Sequence, residues 1–183
     1  FHRWLLQSGA TSSDPTVGLP AVRVPAGLPR PATEAQVTAG LGSPDPDTRL
    51  MVMLAAHAGL RRHEIAGLRR DDLTPWGLRV RGKGGRVRML PIVGDLAAEL
   101  QARPPGYIFP SARTPSGHIS DGTVQQAVRR ACGVAPHALR HRFATRVYEA
   151  TGDLLAVQQL LGHASVATTQ RYVGVSRDRL VAA

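Results

Sequence analysis

The chain has 183 residues, 43% of them apolar, which is enough for one sizeable domain with its own core and too apolar for general disorder. Its formal net charge is +10, from 23 basic against 13 acidic side chains, and this points to a polyanionic partner, nucleic acid before an anionic membrane. No run of 18 apolar residues exists, no charged start and apolar h-region mark a secretion signal, and the single Cys132 excludes an internal disulfide and a thiolate zinc cluster, so the sequence reads as intracellular.

In chain order, Phe1 to Gln7 reads as the last turns of a helix whose body is absent, and Ser8 to Pro31, rich in Gly, Pro, Ser and Thr, reads as a linker. Residues 1–32 are therefore expected to be the tail of a missing N-terminal domain, and residues 33–183 the domain proper. Thr33-Glu-Ala-Gln36 is a capping box that starts the first full helix. A helix is expected over about Asp47 to Ala58, broken by Gly59, and a shorter one over about Arg62 to Leu68. Leu78 to Arg81 and Arg86 to Leu90 read as strands joined by the Gly82-Lys83-Gly84-Gly85 turn. Helices follow over about Asp95 to Ala102, Asp121 to Cys132, Pro136 to Ala150, Leu154 to Leu161, Ser165 to Tyr172 and Ser176 to Ala182. Pro136 suits a first helical position and Gly152 a stop. The expected fold is α+β, mostly helical with a small antiparallel sheet, and no internal repeat is visible.

Of the 23 basic residues, 22 are Arg and one is Lys, Lys83. A lone Lys in an Arg-rich chain is either chance survival or a position where Arg fails, because an ammonium can give up its proton and a guanidinium cannot. His137 and Arg140, three apart at a helix start, project from one face where unpaired N–H groups favour anions. His137 and His141 are also spaced for a metal, but no third ligand lies nearby in sequence. Arg61 follows the helix break at Gly59, and Glu64, one turn on, is placed to hold it. His63-Glu64 lacks the second His of a zinc-protease helix, since position 67 is Gly, and Gly82-Lys83-Gly84-Gly85 lacks the ending of a P-loop. His163 falls in a tight turn and Tyr172 nine residues later. Taken singly, each of these also fits a bland role: a basic helix start, a solvated loop or a core-edge tyrosine.

Taken in order, Gly59-Leu-Arg61-x-x-Glu64, the Lys83 hairpin, Val87-Arg-Met-Leu-Pro91, His137-x-Leu-Arg140-His141, Leu160-Leu-Gly-His163 and Tyr172 resemble the active-site signature of the tyrosine recombinase, or phage integrase, family. The resemblance covers about residues 33–175 and implies the family's catalytic-domain fold, preceded by a core-binding domain. Arg62-His63 replaces the small or apolar pair common after the motif's Arg.

The resemblance implies that Tyr172 attacks the scissile phosphodiester to form a 3′-phosphotyrosine. Arg61 and Arg140 would grip the non-bridging oxygens, Lys83 would protonate the leaving 5′-oxygen, and His137 would accept the tyrosine proton. His163 would bond the phosphate, and Glu64 would hold the Arg61 and Lys83 region. No metal, cofactor or ATP is implied. The implied partner is double-stranded DNA at attachment sites, bound by a homotetramer that is monomeric without DNA, with a directionality factor or host DNA-bending protein as further candidates and no membrane. The implied setting is the cytoplasm of a bacterial cell. Among recombinases, a phage-type integrase is preferred to a Xer-type enzyme of chromosome resolution. A type IB topoisomerase and a DNA-binding regulator without chemistry are the alternatives outside that class; a purely structural helical domain explains the charge poorly. Arg69, Arg70, Arg79, Arg81, Arg86, Arg129, Arg130 and Arg142 are candidates for phosphate contacts along the duplex.

Overall fold

Helix boundaries in this chain are set by caps that the sequence spells out. In the computed structural model, which describes residues 1–20, 30–82, 85 and 87–162, a short helix α1 (His2–Gln7) buries no side chain. Helix α2 (Glu34–Leu41) opens on the expected capping box: the Thr33 hydroxyl accepts from the Gln36 N–H, and the Gln36 side chain accepts from the Thr33 N–H at 2.9 Å. Helix α3 (Pro46–His57) starts one residue ahead of expectation, because Asp45 caps it through the N–H groups of Asp47 and Thr48 and Pro46 fills its first position. Helix α4 (Arg62–Ala66) stops at Gly67, short of Leu68.

A 3₁₀ turn (Arg70–Asp72) leads into a three-stranded antiparallel sheet in the order β1 (Leu73–Thr74), β2 (Gly77–Arg81), β3 (Val87–Leu90). The two longer strands were legible in the sequence; β1, two residues long, is below what a periodicity can reveal. Leu78 pairs with Leu90, Val80 with Arg88 and Arg81 with Val87, so residues 82–86 join β2 to β3. Helices α5 (Gly94–Gln101), α6 (Asp121–Cys132), α7 (Pro136–Thr151) and α8 (Leu154–Leu161) complete the described part. Gly133, Gly152 and Gly162 end α6, α7 and α8 in the left-handed conformation, and Asp153 caps α8 through the N–H groups of Leu155 and Ala156. The helices expected over Ser165 to Tyr172 and Ser176 to Ala182 lie outside the described residues.

The core is built mainly where α3 packs along α7 and against α2 and α6. Leu50, Leu54, Ile65, Leu78, Leu90, Leu100, Phe109, Val124, Val128 and Leu139 are essentially inaccessible to solvent. A smaller cluster, Ala144, Val157 and Leu161, holds α8 onto the far part of α7. This is the mostly helical α+β fold expected, and no described helix is long and apolar enough to cross a membrane.

Candidate functional site

Three separate stretches of chain converge on one cleft. Gly59 breaks the chain after α3 with φ +64°, and a Cβ there would sit 2.4 Å from the Phe143 ring, so only glycine fits. The turn delivers Arg61 to the start of α4. On the other side, Pro136 starts α7, and His137 and Arg140 lie in its first two turns. A cavity of about 330 Å³ between them is lined by Leu60, Arg61, Arg62, His63, Gln125, Ala135, Pro136, His137 and Arg140. Among the described residues three guanidinium groups and two imidazoles line it and no carboxylate does, a charge balance that favours an anion there.

The carboxylate that organises this side lies beneath the cavity. Glu64 is at the third position of α4 and its side chain is fully buried. One oxygen accepts from the Arg61 N–H at 2.8 Å, and the other from Arg61 Nη1 at 3.1 Å. Arg88, on β3, donates to both oxygens at 2.8 Å, and Arg140 Nη1 stands 3.9 Å away. Burial by itself raises the Glu64 pKa; the Arg88 hydrogen bonds and charge, the Arg61 N–H and the Arg140 charge outweigh it and hold the group at about 2. Glu64 is thus a permanent anion surrounded by three arginines.

Arg140 is 1% exposed. It donates through Nη1 to the Gly59 carbonyl and through Nη2 to the Leu161 carbonyl at 2.7 Å, tying the turn before Arg61 to the end of α8. Arg61 keeps 31% of its side chain exposed. His137 presents part of its ring to solvent and packs edge-on to His141 at 4.4 Å between centroids. The buried part of that ring, then Arg140 and Arg61, push its pKa below the ordinary 6.5, so it is neutral at pH 7. Among the described residues no group of three His, Cys, Asp or Glu gathers to hold a metal.

Of the seven residues singled out from sequence, Arg61, Glu64, His137 and Arg140 come together. Lys83, His163 and Tyr172 lie outside the described residues. By chain order Lys83 falls in the connection between β2 and β3, and His163 directly follows the Gly162 that ends α8.

A profile of the phage integrase family matches residues 34–179. The chain belongs to this family of tyrosine recombinases. It is 35% identical to the tyrosine recombinase XerD of Ralstonia nicotianae, over 98% of this chain and 67% of that protein. It is 37% identical to the tyrosine recombinase XerC of a Methylobacterium strain, over 100% of this chain and 66% of that protein. Among solved structures it resembles the integrase from mycobacterium phage Brujita, with a TM-score of 0.70 and 31% identity, over 97% of this chain and 64% of the other. A λ integrase dimer bound to a core site shares the fold, with a TM-score of 0.65 and 22% identity, over 93% of this chain and 68% of the other. The chain spans about two thirds of the length of the curated relatives it matches.

Within this tyrosine recombinase fold the remaining arginines sort by their partners. Arg142 was a candidate for DNA phosphate but is buried, donating to Glu34 on α2 at 2.8 and 2.6 Å; it joins α7 to α2. Arg79 and Arg81 both approach Asp72. Arg69 bonds Asp71 and lies over the Tyr107 ring, and Arg70 donates to the Gln101 carbonyl. Arg129 and Arg130 are exposed on α6, and Arg86 lies outside the described residues.

Sequence reasoning missed Arg88, whose side chain is 10% exposed. The signal was there: along Val87-Arg88-Met89-Leu90 strict alternation puts Arg88 on the face of the buried Leu90 and turns Val87 and Met89 outward. A charge on the inward face of a strand demands a buried partner. It also missed Gln125, which faces the same cavity from α6 and accepts from Arg62.

Proposed function

We propose that this chain is the catalytic part of a site-specific DNA recombinase that cuts and rejoins strands through a covalent link to Tyr172. The observation that carries the reading is the single cavity onto which Arg61, His137 and Arg140 converge from distant chain positions, with the Glu64 anion beneath it. The family membership supplies the reaction class.

The Tyr172 hydroxyl oxygen attacks the scissile phosphorus, the bond to the 5′-oxygen breaks, and a 3′-phosphotyrosine and a free 5′-hydroxyl result. His137, neutral at pH 7, takes the tyrosine proton, directly or through water. Lys83 gives a proton to the leaving 5′-oxygen, work for which a guanidinium is too weak an acid. Arg61 and Arg140 offset the charge that grows on the non-bridging oxygens, and His163 bonds the phosphate. The covalent intermediate conserves bond energy, so rejoining to a new 5′-hydroxyl needs no ATP. The partner is duplex DNA, bound as a tetramer across two sites.

Two roles within this chemistry each have an observation behind them. Similarity to a phage integrase at 31% identity favours integration into a host chromosome. Similarity to XerC and XerD at 35–37% identity favours resolution between two copies of one site. A plasmid assay tests both. The protein is incubated, without metal or nucleotide, with plasmids carrying DNA from beside its own gene. Joining of two unlike sites supports the integrase role, and deletion between direct repeats of one site supports the Xer-type role. Relaxation of supercoils with no exchange of partners would move the reading to a topoisomerase.

A further inference from the structure

Arg88 is outside the set of side chains assigned above to the reaction, yet three elements around the cavity meet through it. It comes from β3, it holds both oxygens of Glu64 on α4 at 2.8 Å, and its Nε donates to the Leu160 carbonyl in the last turn of α8 at 2.8 Å. The next carbonyl, of Leu161, accepts from Arg140. The two last carbonyls of α8 are therefore tied to two arginines that share the Glu64 anion. Gly162, with φ +63°, lies against the Arg88 side chain, and a Cβ there would come within 3.0 Å of its Cδ. Burying a guanidinium on the inner face of a strand is costly unless its donors find acceptors, and here they do.

We propose that Arg88 is a positioning residue for strand cleavage: it fixes the angle at which Glu64 presents Arg61 to the phosphate, and it sets where the chain leaves α8, two residues before His163. The proposal rests on the reading of the site given above. The planar Arg88 fork engages two carboxylate oxygens and a carbonyl; an ammonium has no such fixed geometry. Without Arg88, Arg61 and Arg140 are the cations left beside the Glu64 carboxylate among the described residues, and it draws Arg61 inward and away from the phosphate.

The test uses the full chain and a nicked duplex cut from the DNA beside its gene. Wild type, Arg88→Lys, Arg88→Met, Glu64→Gln and the Glu64→Gln/Arg88→Met double variant are compared for DNA affinity and for the rate of Tyr172-dependent covalent product at saturating DNA. Misplacing one clamp is expected to slow Arg88→Met by about a hundredfold and Arg88→Lys by about tenfold, with DNA affinity held within about twofold. The double variant should be no slower than the worse single variant, because both changes break one unit. The fall of folding stability in acid should also begin at higher pH in Arg88→Met than in wild type, since Glu64 loses the partner that opposes its burial. A rate for Arg88→Lys within about twofold of wild type, a loss confined to DNA affinity, or multiplicative losses in the double variant would overturn the proposal. If Arg88→Met does not unfold cooperatively, Arg88→Lys alone decides. Absence of any Tyr172-dependent product from wild type defeats the functional reading and this proposal together; product from wild type with an unaffected Arg88→Lys defeats this proposal only.

Discussion

Arg140, in the second turn of α7, donates a hydrogen bond to the main-chain carbonyl of Gly59, 81 residues earlier in the chain. The bond closes the cavity wall, because Gly59 is also the turn that delivers Arg61. Its φ of +64° and its approach to Phe143 leave no room for a side chain. Gly59→Ala should therefore lower unfolding stability by about 2–3 kcal/mol, combining left-handed backbone strain with displacement of a ring. Urea denaturation checks this; a loss below about 0.5 kcal/mol, the scale of a neutral surface change, would show that the turn relaxes freely.

The buried Glu64 makes stability depend on acid. Its folded pKa of about 2 lies below the ordinary 4.5, so its contribution is fully present above pH 4.5 and is lost as pH falls toward 2. The shift corresponds to roughly 3 kcal/mol. Glu64→Gln should be less stable at pH 7 and should show a flatter stability profile between pH 4.5 and 2 than wild type. Parallel profiles for the two proteins would mean that Glu64 is not the group responsible.

His137 predicts the acid side of the activity profile. A neutral imidazole is the form that can take a proton, and the cavity pushes its pKa below 6.5. On the proposed mechanism the rate of cleavage falls as pH drops through a value below 6.5, and His137→Asn is slower and lacks that inflection. An inflection that survives in His137→Asn would assign the proton to another group.

Arg142 separates structure from DNA contact. Its Glu34 pair joins α7 to α2, so Arg142→Gln should lower stability by about 1 kcal/mol and leave the salt dependence of DNA binding unchanged. A phosphate contact would instead reduce the salt slope by about one. Titration of DNA affinity against salt distinguishes the two.

Most of the fold was legible because the caps are local: Thr33 with Gln36, Pro136 at a helix start and Gly152 at its stop each act within a few residues. Asp45 shifted α3 by one residue because a side chain can cap from outside the apolar pattern. The pairing of charges was not legible, since it depends on which elements meet. Arg142 looked like any exposed arginine and is buried on Glu34, while Arg88 counted only as part of a strand motif and holds both oxygens of Glu64. Convergence of Arg61, His137 and Arg140 could be expected only from resemblance; no local rule brings position 61 to position 140.

On the proposed mechanism Tyr172 becomes covalently joined to DNA. The direct measurement incubates wild type and Tyr172→Phe, in chelator, with a nicked duplex carrying the sequence beside the gene, labelled in turn at each end of the cut strand. The products are separated on a denaturing gel. The expected result is a protein-linked band that carries the 3′ phosphate side, is destroyed by protease and is missing from Tyr172→Phe. A protein that binds this DNA yet gives no linked band, or gives the same band from Tyr172→Phe, contradicts it.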